Sequence, residues 1–164
     1  FSAPPKADGS DTRKINQACI VMTADCLPVL LCDKKGTQVS AIHAGWRGLA
    51  DGILEKAVSR FSAADELIAW LGPAISQRHF EVGQDVHEAF ISNNPAHQNA
   101  FIPGAEKDKW MADIYQLART QLIKSGVTSI FGGDFCTYTE AERFYSYRRD
   151  GAQSGRMASV IYLQ

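Results

Sequence analysis

Two side chains able to bind a metal or attack a carbonyl, Cys26 and His43, flank a turn signal, Asp33-Lys34-Lys35-Gly36. The runs on either side, Leu27 to Cys32 and Gln38 to Ala44, read as the arms of a hairpin. Antiparallel neighbours lie about 5 Å apart, so a thiol and an imidazole on one face can reach a common ligand. Three readings are open. The pair binds a zinc-like metal that needs further ligands; it forms a Cys–His nucleophilic pair; or it is a small buried Cys beside a satisfied His. Asp25 precedes Cys26 in a run that is otherwise apolar, where a carboxylate needs a partner. It either accepts a proton from His43 or a backbone N–H, as a group behind a ligand does, or caps a turn. Gly45 and Gly48 permit close backbone approach ahead of a helix, and Arg47 between them suits a phosphate held bidentately. The alternative for Arg47 is a guanidinium lying over Trp46 at the surface.

A second group runs from Gly133-Asp134-Phe135-Cys136-Thr137-Tyr138 to Phe144-Tyr145-Ser146-Tyr147-Arg148-Arg149-Asp150. Rings beside Arg148 and Arg149 suit a flat, partly anionic ligand such as a nucleoside with phosphate. An aromatic core strand with charges solvated at its end is the alternative. His79, His87 and His97 lie on polar stretches and read as surface residues. Phosphate-loop, dinucleotide, HExxH and nucleophile-elbow motifs are absent from the sequence.

The elements that must position these groups follow from periodicity. Residues 1–14 are polar and read as an irregular leader. Ala18 to Cys32 is a buried strand pair or one broken strand, with Pro28 at the break. Helical spacing predicts helices over Leu49–Phe61, Asp85–Ile91 and Trp110–Lys124, the last closed by Gly126. Strands are expected at Glu66–Leu71, Val127–Phe131, Phe144–Tyr147 and Met157–Leu163, with a polar loop over 95–108. Hairpins with interspersed helices predict an α/β (α+β) single domain over 1–164, a mixed sheet with helices packed on it.

Composition narrows the partners. At 164 residues and 45% hydrophobic the chain can bury a core, so its four cysteines need not be staples. A net charge of −1 leaves no electrostatic footprint for nucleic acid or an anionic membrane. No apolar run is long enough to span a bilayer. The start, Phe1-Ser2-Ala3-Pro4-Pro5-Lys6, does not resemble a secretory signal and lacks an initiator Met. A cytoplasmic fragment or processed form is expected.

Several runs together resemble the bacterial YfiH-type family. They include Val21 to Leu30, His43-Ala44-Gly45-Trp46-Arg47-Gly48-Leu49, Leu71-Gly72-Pro73-Ala74-Ile75 and Phe80-Glu81-Val82-Gly83. Asp113 to Ala118, Phe131-Gly132-Gly133-Asp134, Cys136-Thr137-Tyr138, Ser146 to Asp150 and Gly155 to Ser159 complete the match. The resemblance implies a layered sandwich of mixed sheet and helices, like the catalytic domain of cytotoxic necrotizing factors. It implies zinc held by two histidines and a cysteine, with Cys26 and His43 as two of the three. The activity implied is phosphorolysis of adenosine, inosine, guanosine and methylthioadenosine, with adenosine deamination; older descriptions give copper-containing polyphenol oxidases. Under this reading Arg47, Arg148 and Arg149 neutralise phosphate and Tyr138 or Tyr147 stacks on the base. Asp25 and Arg47 stand with the reacting groups. The third ligand belongs to an upstream Val-His-Gly motif, which this sequence lacks, so it is expected to begin after that segment. A metal-free Cys–His hydrolase linked to peptidoglycan, or a non-catalytic binding remnant, are the other readings.

Overall fold

The computed structural model describes residues 7–164. In chain order they form β1 (Gly9–Thr12), β2 (Cys19–Thr23), β3 (Leu27–Asp33) and β4 (Val39–Ala44), then helices α1 (Trp46–Ala50) and α2 (Ile53–Val58). There follow β5 (Leu67–Leu71), β6 (Glu81–Gly83), α3 (Gln84–Asn93), β7 (Phe101–Pro103), β8 (Lys109–Ala112) and α4 (Ile114–Lys124). The chain closes with β9 (Ser129–Gly132), α5 (Tyr147–Asp150) and β10 (Met157–Ile161).

Alternation of side chains along β3 builds the centre. Leu27, Val29 and Leu31 are fully buried on one face, beside Leu67, Ala69 and Leu71 of β5. They meet Leu49 of α1, Leu54 of α2 and Leu117 and Leu122 of α4 in one cluster. Each buried leucine of this kind is worth roughly 1.5–3 kcal/mol over an exposed one. The five-stranded sheet has the order β1-β4-β3-β5-β9, antiparallel except for the β5–β9 pair. Its other face carries Val39 and Ala41, which pack with Cys19, Val21 and Leu163 under the two-stranded sheet β2–β10. A small sheet β6-β8-β7 joins the main core through Phe80, Val82 and Phe101. The result is the mixed α/β layering expected, with helices against one side of the sheet.

Several local expectations are corrected. Within the predicted leader, residues 9–12 form β1, because their backbone pairs with β4 at Gly9↔Ile42 through Thr12↔Val39; residues 1–6 lie outside the described ones. The helix over 49–61 is two helices that meet at Gly52, whose φ of 75° breaks the ladder. Trp110 and Met111 belong to β8, and α4 starts only after Asp113, whose carboxylate accepts from the Gln116 N–H at 3.0 Å. Part of the polar loop is β7. Phe144–Tyr147 forms no strand; Ser146 caps α5 by accepting from the Arg149 amide. His87 and His97 are buried. The His87 ring stacks on Trp110 at 3.9 Å, and His97 Nδ1 donates to the Phe90 carbonyl at 3.1 Å.

Candidate active site

The hairpin register places Pro28 opposite His43 and Leu27 opposite Ala44. Cys26, one residue before β3, thus lies diagonally across from His43 and on its side of the sheet. Gly45 measures how closely the two approach. A Cβ built on it would sit 3.2 Å from Cys26 Sγ and 3.7 Å from His43 Nε2. Thiol and imidazole therefore converge on one small space that a glycine keeps open. Burial, then the negative charges of Asp25 and Asp8, push the Cys26 thiol up, with Arg156 opposing. The thiol thus holds its proton at neutral pH, and a metal cation binding there must displace it. That is the reverse of the low-pKa thiolate a nucleophilic pair requires.

The far nitrogen of His43 is held from behind. Its Nδ1 lies 3.3 Å from Asp8 Oδ1, and its amide donates to the Asp8 carbonyl at 2.6 Å. Asp25 does not contact His43. Of the partners expected for it, the structure supplies a backbone N–H: Oδ2 accepts from the Arg148 amide and Oδ1 from the Thr137 hydroxyl, both at 2.6 Å. The residue is buried with φ at 82°, a turn conformation that Asp tolerates better than most side chains.

Beside the thiol opens a cleft of about 300 Å³. Cys26, Asp25, Trp46 and Phe80 line it, with Arg47, Tyr147 and Arg148 around them. The Arg47 guanidinium carbon sits 4.4 Å from the Trp46 ring centroid, so stacking and cleft-lining coexist. Arg148 donates to the carbonyls of Glu81 at 3.2 Å and His79 at 3.4 Å. Arg149 is differently placed. Its donors go to the carbonyls of Thr137, Tyr138 and Phe144 and to the Asp150 carboxylate, so it ties loops together. Tyr138 stacks on His79 at 4.4 Å and is packed against the core. The arrangement thus gathers Cys26, His43, Asp25, Arg47, Tyr147 and Arg148, and leaves Arg149 and Tyr138 out of the cleft.

Sequence reasoning missed Asp8, Thr137 and the apolar cleft wall of Phe80 and Ile75. The polar run around Asp8 carries no period, and no pattern signals that β1 pairs with β4. Among the described residues there is no group of three or more His, Cys, Asp or Glu that could hold a metal ion.

The mixed α/β fold and the sequence place the chain in a described family. The family described as multi-copper polyphenol oxidoreductase laccase matches residues 2–164, and the chain belongs to it. The chain is 56% identical over 162 residues to Escherichia coli purine nucleoside phosphorylase YfiH, covering 98% of this chain and 65% of that protein. It is 51% identical over 160 residues to Pseudomonas aeruginosa purine nucleoside phosphorylase PA4543, covering 97% and 66%. The crystal structure of Neisseria meningitidis protein NMB0706 superposes with a TM-score of 0.95 at 51% identity, over 99% of this chain and 66% of that one. YlmD from Geobacillus stearothermophilus gives a TM-score of 0.91 at 28% identity, over 99% and 63%. The chain thus spans about two thirds of the length of the relatives it matches.

Proposed function

We propose that this chain carries the Cys–His part of a zinc centre and the adjoining substrate cleft of a purine nucleoside phosphorylase. The observation that carries the reading is the convergence of Cys26 Sγ and His43 Nε2 on the space kept open by Gly45, at the edge of the cleft. The donor pair fits zinc: a thiolate once deprotonated and a neutral imidazole, with coordination positions to spare. The names of relatives at 50–56% identity point to the same activity.

When bound, the ion supplies Lewis-acid polarisation of a substrate atom. The chain's own residues do the rest. Cys26 gives up its proton, and His43 offers Nε2 while Nδ1 stays with Asp8. Arg47 and Arg148 flank the cleft and hold phosphate against the sugar, so that its oxygen attacks the anomeric carbon as the base leaves. Tyr147, Phe80 and Trp46 offer flat surfaces for the purine. Adenosine, inosine, guanosine and methylthioadenosine share that flat base and a ribose-type sugar, so all four belong to the substrate class. Adenosine deamination, the second activity in this reading, would use the same cleft.

In a protein carrying this sequence at the full length of its relatives, Cys26→Ala should abolish both zinc uptake and inosine phosphorolysis. Full phosphorolysis by that variant rejects the proposal. A second reading, copper-dependent phenol oxidation, draws on the description of the matching family and on the affinity of thiolate and imidazole for copper. Stoichiometric copper after purification without added metal, with oxygen uptake on a phenol, would favour it over zinc.

A further inference from the structure

We propose that Asp8 is a positioning residue for the donor pair: it fixes the tautomer and rotation of the His43 ring so that the Nε2 lone pair faces Cys26. The inference rests on the metal-centre reading and deepens it. β1 pairs with β4 at Gly9↔Ile42, so the next step of the register sets Asp8 opposite His43. Two contacts join them. The His43 amide donates to the Asp8 carbonyl at 2.6 Å, which fixes the backbone, and Nδ1 faces Asp8 Oδ1 at 3.3 Å, which orients the ring.

A carboxylate only accepts, so Nδ1 carries the proton in this bond and Nε2 of the neutral ring is left with its lone pair. That lone pair points to the space beside Gly45 where Cys26 Sγ also points. The reverse tautomer would put an N–H there and close the site to a cation. Asp25 is the nearer carboxylate in sequence to the thiol, but both its oxygens are taken by Thr137 and Arg148. The Asp8 side chain is 65% exposed and that of His43 34%, so the pair adds little to stability. Its effect is on which nitrogen is free.

The test uses the 164-residue chain, free of metal and at mildly alkaline pH, where long-range nitrogen–proton correlations report the imidazole tautomer. Wild type should show His43 protonated on Nδ1. Asp8→Ala should spread His43 over both tautomers, and zinc affinity should fall about 10- to 100-fold. Asp8→Asn, whose amide can turn either its oxygen or its NH2 to Nδ1 and carries no charge, should restore the tautomer bias and the affinity only in part. Melting temperature should stay unchanged in both variants. A wild-type His43 protonated on Nε2, or an Asp8→Ala variant with the wild-type tautomer, overturns the proposal. Zinc binding that survives Cys26→Ala would defeat the metal reading alone, because the tautomer of the metal-free chain still decides the part played by Asp8.

Discussion

In the proposed centre, Gly45 decides whether sulfur and nitrogen can share an ion. Its φ of −68° and ψ of 164° suit any residue, so an added methyl brings no backbone strain. The methyl would instead stand 3.2 Å from Cys26 Sγ and fill the shared space. Gly45→Ala should therefore keep its unfolding free energy within about 1 kcal/mol of wild type. Zinc affinity, read by competition with a chromophoric chelator, should drop at least about tenfold, the loss of some 1.4 kcal/mol of binding energy. An unchanged affinity would show that the donors do not meet there. At this scale Cys26 and His43 were readable because a turn signal between two apolar runs fixes which side chains face each other. Arg149 and Tyr138 were not. Arg148 and Arg149 both donate to backbone carbonyls, and only the fold shows that Arg148 also lines the cleft while Arg149 does not. Tyr115 shows the same point: its hydroxyl accepts from the Ala74 amide at 2.7 Å and donates to the Phe135 carbonyl at 2.9 Å. Burial pushes that hydroxyl up to about 12, yet helical spacing marks the residue only as apolar.

Elements are bounded by caps and breaks that periodicity overlooks. Trp110 and Met111 continue the helical phase of α4, which is why a helix over 110–124 is predicted. Asp113 ends that continuity by capping Ile114–Lys124 from outside. Asp113→Ala should cost about 0.5–2 kcal/mol in urea unfolding, and Asp113→Ser should recover most of it. Equal stability of the alanine variant would mean that tertiary packing alone sets the start of α4. The break at Gly52 hid for a related reason: Leu49, Leu54 and Val58 all reach the core from both sides of it, so the apolar spacing reads as one helix. The hairpin β3–β4 was the best-defined element in the sequence, with its turn and both arms where expected. β1 was not, since a short polar edge strand has no alternation to reveal it.

Across the molecule, the layering was readable from strands alternating with helices, but the partner of each strand was not. The parallel β5–β9 pairing joins segments separated by the whole of the small sheet and two α-helices. The outer face of β2–β10 is apolar and open: Ile20 lies opposite Val160 in the register, and they are 53% and 47% exposed. Met22 on the same face and Phe131 on β9 are likewise exposed. Surfaces of this kind attach to other apolar surfaces. The isolated chain should associate as its concentration rises, and Ile20→Lys with Val160→Lys should keep it monomeric without lowering its melting temperature. Sedimentation velocity distinguishes the two, and a wild-type chain that stays monomeric at high concentration would refute the expectation. No helix among the described residues is long and apolar enough to cross a membrane.

The two bonds of Asp25 have a practical consequence for anyone who mutates this region. One carboxylate moors the Cys26 turn to Thr137 and to the Arg148 amide in α5, segments more than a hundred residues downstream. Cutting it slackens the thiol and the Arg148 arm together, so a metal-poor Asp25 variant reports lost anchorage. The proposed coordination is to be judged from sulfur and imidazole alone.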